Sequence, residues 1–251
     1  MRANIWTSAG AALALGSLVA AGGAEAGGSI KDAPYAPISN WTGVYIGAHL
    51  GGGWGDADLR NVERGAPLVD WPDLIPGDRT SHDVDGWLGG GHIGYNHQTG
   101  PWVLGVEAAY SAANLEGKST SGPGPFSLQD DVFKTRIDSL LLLTGRIGYA
   151  QNNWLIYGKG GYAGANVKSS VADSLGASTG SGRDTNWLNG WTLGTGVEYM
   201  LTKNWILGLE YDYVHLDGAR ANLGDAAGSY VWDVKVDDLH VVTGRLSYKL
   251  N

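Results

Sequence analysis

Glu107, Lys159 and Glu210 each stand five residues after a Trp, at Trp102, Trp154 and Trp205, and His92, Arg146 and Arg245 each stand three before a Tyr, at Tyr95, Tyr149 and Tyr248. With His49, Glu198 and Asp212 they form a set of both signs. Carboxylates and cations at matched depth can pair, relay protons, or act with His as acid and base. Pairing is the first expectation, because an isolated charge in a narrow interior is costly. Adjacent segments would match Glu107 with Arg146, Lys159 with Glu198, and Glu210 with Arg245. Two outcomes follow: the pairs satisfy one another and fill the space, or they exchange partners and line a narrow pore for small solutes. Hydrolysis needs a nucleophile within reach of a His oriented by a carboxylate. His240 and Ser247 fall in opposite phases, and His215 points away from Asp212, so no catalytic residue is expected and the protein reads as a non-enzyme.

No metal site is expected either. There is no Cys, and His82, His92 and His97 are too scattered for a ligand spacing. Asp56, Asp58, Glu63, Asp70, Asp73, Asp78, Asp83 and Asp85 could hold Ca²⁺ or Mg²⁺, but they lack EF-hand spacing and read as a solvated acidic loop against Arg60, Arg64 and Arg79. No cofactor is implied. The net charge of −8 excludes a basic footprint for nucleic acid.

The elements that carry these residues follow from a repeat. A Tyr, a short polar turn and a Trp recur at Tyr95 to Trp102, Tyr149 to Trp154 and Tyr199 to Trp205. On either side the sequence alternates with period two, as strands of a hairpin do. After Trp205, one phase reads Leu207, Leu209, Tyr211, Tyr213 and the other Gly208, Glu210, Asp212. The first suits lipid and runs on into the Trp and Tyr of the turn, which predicts an aromatic belt of Tyr95, Trp102, Tyr149, Trp154, Tyr199, Trp205 and Tyr248. The longest aliphatic run is Leu140 to Leu143, so a membrane could be crossed only by a closed barrel. Long polar connections at about 56–83, 112–134, 166–186 and 217–234 alternate with the short turns. The count gives eight strands, roughly 40–55, 84–96, 102–111, 135–149, 154–165, 187–200, 205–216 and 235–250. The expected fold is therefore all-β, an eight-stranded antiparallel transmembrane up-and-down β-barrel with short periplasmic turns and four long extracellular loops. A soluble β-sandwich gives no reason for outward aromatics at one end only. Composition agrees: 41 of 251 residues are Gly, against a usual level of about 7%, without a collagen period. Trp and Tyr, at 11 and 12, far outnumber the 2 Phe.

The N-terminus reads as a targeting segment, with Arg2, an apolar stretch from Ala9 to Ala21, and Ala24-Glu25-Ala26 before Gly27. Residues 1–26 are expected to be a signal peptide, 27–39 a periplasmic linker, and 40–251 the barrel.

The stretches Asn40 to Gly51, Gly91 to Asn96, Gly145 to Tyr149 and Gly196 to Tyr199 resemble those of small alpha-proteobacterial outer-membrane proteins, the porin-family, OmpA-like and opacity-type barrels. The resemblance implies a Gram-negative surface protein of the cell outer membrane that supports envelope integrity and displays its loops. It implies contact with outer-membrane lipid and lipopolysaccharide, and delivery to the barrel-assembly machinery through the C-terminal strand. The chain departs from the family by ending on Leu250-Asn251 rather than an aromatic, with Tyr248 the nearest substitute. No loop motif names a surface ligand.

Overall fold

The computed structural model describes residues 39–64, 79–120, 131–173, 181–222 and 230–250. The expected signal peptide and nearly all of the expected linker lie outside them. Nine strands form one antiparallel sheet: β1 (Gly43–Arg64), β2 (Arg79–Thr99), β3 (Trp102–Thr120), β4 (Asp131–Gln151), β5 (Trp154–Asp173), β6 (Ser181–Met200), β7 (Trp205–Leu216), β8 (Ala219–Asn222) and β9 (Tyr230–Lys249). From β1 to β7 each pairs with the next in sequence, and β1 pairs with β9, which closes the sheet. β7 and β8 both pair with β9 and are successive pieces of one stave, interrupted at Asp217 and Gly218. The barrel therefore has eight staves. No helix among the described residues is long and apolar enough to cross a membrane, which leaves strand crossing open.

The short turns set the register. Gly100 and Asn152 begin two-residue connections with φ of 58° and 53°, the left-handed value that a tight hairpin requires at its first position. A β-branched residue cannot take that value without strain. Asn152→Val is expected to cost about 1–2 kcal/mol, read from the midpoint of urea unfolding, while Asn152→Gly should be nearly neutral. Above these turns the register sets Trp102 opposite Tyr149, Trp154 opposite Tyr199 and Trp205 opposite Tyr248. Their ring centroids lie 5.6, 4.7 and 5.1 Å apart. All six rings, and Tyr95, stand on the outward phase. A second outward group, Trp54, Trp87, Tyr110 and Trp191, lies toward the other end. Tyr110 is eight residues up β3 from Trp102, about 26 Å along the strand, which a tilt of about 40° reduces to the height of a hydrocarbon band.

The strands run further than the alternation suggested. β1 extends to Arg64, β3 to Thr120 and β5 to Asp173, so much of what reads as long loop is wall. The acidic stretch is one instance: Asp56, Asp58, Asp83 and Asp85 are exposed positions on β1 and β2, whereas Asp70, Asp73 and Asp78 lie outside the described residues.

The interior is stacked in three layers. At the turn end Trp41, Val103, Ala150, Leu155, Tyr157, Met200 and Ile206 form an apolar floor. Trp41 does not join the outer belt beside Tyr95; its side chain is buried, and its backbone N–H donates to Gln98 at 2.8 Å. The middle layer carries the charges. Above it lies an apolar roof that includes Leu88, Leu115, Ile137, Leu140, Leu188 and Leu239.

Candidate functional site

The middle layer is placed by the inward phase of eight strands. His49, His92, Glu107, Arg146, Lys159, Glu198, Glu210, Asp212 and Arg245 are all buried. The inward glycines make room for them. A Cβ on Gly105 would stand 2.3 Å from the Asn96 carboxamide oxygen and 3.2 Å from Cγ of Arg146; one on Gly194 would stand 2.3 Å from the Asp212 carboxylate; one on Gly196 would strike the Tyr157 ring at 2.4 Å.

Arg146 donates through Nη1 to Glu198 at 2.9 Å and through Nε to Asn96 at 2.9 Å. Its guanidinium is sandwiched between the Tyr45 and Tyr157 rings, 4.6 and 4.9 Å from their centroids, and stacking of this kind strengthens once water is excluded. Arg245 bridges two carboxylates, donating through Nη2 to Glu107 and through Nη1 to Glu210. Lys159 meets Glu210 at 2.8 Å and Asp212 at 3.1 Å. Two phenols complete the set: Tyr45 donates to Glu107 at 2.8 Å and Tyr157 to Glu210 at 2.5 Å.

This connectivity corrects the adjacent-strand pairing in part. Glu210 does meet Arg245. Arg146 holds Glu198, with Glu107 at a looser 3.9 Å, and Lys159 takes Glu210 and Asp212 rather than Glu198. The register explains the change. Lys159 stands opposite Gly194 on β6, four residues from Glu198, or about 13 Å along the strand. Arg146, directly opposite Lys159 on β4, instead reaches across the interior to β6.

Sequence reasoning missed a second polar chain in the same layer. His92 Nε2 lies 2.7 Å from Ser247 Oγ, His92 Nδ1 lies 3.3 Å from His49 Nδ1, and His49 Nε2 lies 2.8 Å from Ser111 Oγ. The shared inward phase of Ser247 and His92 was the available signal. The pair resembles a nucleophile and its base, but a second imidazole orients His92 where a hydrolase would use a carboxylate. His240 faces outward instead, stacked on Trp54 at 5.7 Å and bonded to the Tyr211 hydroxyl at 2.8 Å. Among the described residues no group of three potential ligands could hold a metal ion. Beside the charges, a cavity of about 10 Å³ lined by His49, Ser111, Asp212, Thr243 and Arg245 has room for about one water.

A closed barrel with an apolar outer band between two aromatic groups defines a β-barrel membrane protein. The outer membrane protein beta-barrel domain family matches residues 11–251, and the chain belongs to that family. The 31 kDa outer-membrane immunogenic protein of Brucella melitensis biotype 1 is 30% identical over 222 residues, covering 85% of this chain and 86% of its own. The 22 kDa outer membrane protein of Rhizobium leguminosarum bv. viciae is 28% identical over 203 residues, 81% and 77% of the two chains. Among solved structures, the outer membrane protease OmpT from Escherichia coli superposes with a TM-score of 0.50 at 11% identity, over 83% of this chain and 97% of that one; this is a likeness of fold alone. The protein resides in the outer membrane.

Proposed function

We propose that this barrel is a closed, non-catalytic element of the envelope, which stabilises the outer membrane and displays its extracellular ends. The observation that carries the reading is the layering of the interior. The charges are paired with one another and lie between an apolar floor and an apolar roof. An apolar constriction resists wetting, and an eight-stranded barrel has an interior that side chains just fill. Residues 1–26 would direct export and be removed, residues 27–39 would lie in the periplasm, and the C-terminal strand ending at Tyr248 would address the assembly machinery. Surface display is in keeping with the name of the Brucella relative, an outer-membrane immunogenic protein.

Planar-bilayer recording tests the closed interior. The purified barrel should give no unitary steps above the bare-membrane baseline. Stable openings whose size changes with Glu107→Gln or Arg146→Gln would overturn this reading in favour of a narrow solute pore.

A further inference from the structure

The staves continue beyond the upper aromatic group, and there the outward charges are separated by sign around the circumference. Among the described residues, β1, β2 and β9 carry Asp56, Asp58, Asp83, Asp85 and Asp238 against Arg60 and Lys235; Asp233 on β9 is met by Arg220 at 3.6 Å. β3 to β6 carry Lys118, Lys134, Arg136, Lys168 and Arg183 around Glu116 and Asp138. Glu116 contacts Lys134 at 3.0 Å and Arg136 at 3.2 Å; Asp138 contacts Arg136 at 2.6 Å and Lys168 at 2.5 Å. Five carboxylates against two cations, and five cations against two carboxylates, leave the two sectors with matching surpluses of opposite sign.

The register sharpens both imbalances. Arg136 stands directly opposite Lys168, Lys134 opposite Lys118, and Asp56 opposite Asp83. Like charges opposite each other in a sheet are destabilising. Partial burial and the Asp83 carboxyl beside it raise the Asp56 carboxyl above its ordinary value, as expected where no counter-charge is at hand. The register also sets the two sectors at one height. The rung that leaves β1 at Gly43 returns to it at Gly53 after one circuit, ten residues higher, which corresponds to a strand tilt of about 40°. With that tilt, Asp56, Asp83, Arg136 and Lys168 share one level, roughly 10 Å beyond the upper aromatic group. They face water rather than acyl chains.

We propose that the barrel associates laterally with further copies of itself, the acidic β1–β2–β9 sector of one copy docking on the basic β3–β6 sector of the next. Copies in one membrane stand the same way up, so sectors at one height meet whenever two barrels touch on the right sides. Each sector supplies the counter-charge that the other lacks. The sectors are centred about three staves apart out of eight, or about 135° around the barrel. The contact is therefore heterologous, and a pair still offers one sector of each sign to further copies. The inference rests on the outer-membrane location but not on whether the interior conducts, so the bilayer recording and the association test stand independently.

The test uses the full chain, folded into vesicles of zwitterionic lipid, with donor- and acceptor-labelled populations mixed and energy transfer followed as lipid dilutes the protein. The wild type should associate, and should lose the association near 1 M salt, where charges are screened beyond about 3 Å. One variant combines Lys134→Gln, Arg136→Gln and Lys168→Gln; the other combines Asp56→Asn, Asp58→Asn and Asp83→Asn. Each alone should associate roughly tenfold to a hundredfold more weakly, as the loss of three exposed ion pairs implies. Mixed together they should regain the wild-type affinity, because one retains the acidic sector and the other the basic one. Cross-linking of that mixture should stop at pairs, whereas the wild type should give a ladder. Heat-dependent gel mobility checks that each variant is folded. Undiminished association of either folded variant, or a mixture that regains nothing, would overturn the proposal. So would association that requires added Ca²⁺ and survives loss of the basic sector, which would assign the acidic sector to cation bridging.

Discussion

Arg245→Met is expected to destabilise the folded barrel by about 3–5 kcal/mol. Arg245 is buried and donates to Glu107 and to Glu210, carboxylates contributed by β3 and β7. Met fills most of the volume but returns no charge. Two carboxylates are then left short of a partner in a layer that water reaches poorly, and the cost of such a broken pair is dominated by the stranded charge. Lys168→Met provides the contrast. Lys168 pairs with Asp138 on the surface, with its side chain about half exposed, and such pairs contribute about 0–1 kcal/mol. Urea unfolding of the barrel in lipid vesicles measures both. A loss below about 1 kcal/mol for Arg245→Met would mean that the middle layer is hydrated, and the sealed interior would be abandoned.

Gly90→Ala is expected to prevent closure of the barrel or to cost more than the roughly 1–3 kcal/mol of ordinary overpacking. Gly90 is paired on both sides, with His49 on β1 and Ser111 on β3. A Cβ there would stand 1.9 Å from the Tyr110 carbonyl oxygen and 2.8 Å from the Ser111 Cα. Both atoms are backbone, so relief requires parting the ladder rather than turning a side chain. Gly145→Ala, on the lipid side of β4 with nothing within 4 Å of the added Cβ, should fold normally. The fraction reaching the compact, heat-shiftable form reads the difference, and equal yields for the two variants would show that β2 and β3 do not approach this closely.

Eight staves, their antiparallel order and the short turns were legible because alternation and turn chemistry are local. The Trp after one turn and the Tyr before the next even mark a cross-strand pair, as Trp102 and Tyr149 do. The partners of the interior charges were less legible. They depend on register and on reach across the interior, so Lys159 and Glu198 look adjacent by counting yet are offset by four residues along β6. The roof was missed for another reason: Ala57, Ala113, Leu115 and Val167 are scattered single apolar residues in polar, Gly- and Ser-rich stretches. Their ladder pairing and their burial show that these stretches are strands. The side chain of Trp41, just before β1, does not lie on the outer face. Instead its segment turns inward, anchored by Gln98.

The ladder hydrogen bonds run around the circumference, each joining a stave to its neighbour. Three of the interior ionic contacts run differently, from β9 to β3, from β4 to β6 and from β5 to β7. They act as spokes within a hoop. A hoop alone can flatten into an ellipse without breaking any rung, whereas one braced from within keeps its cross-section when the surrounding lipid squeezes it.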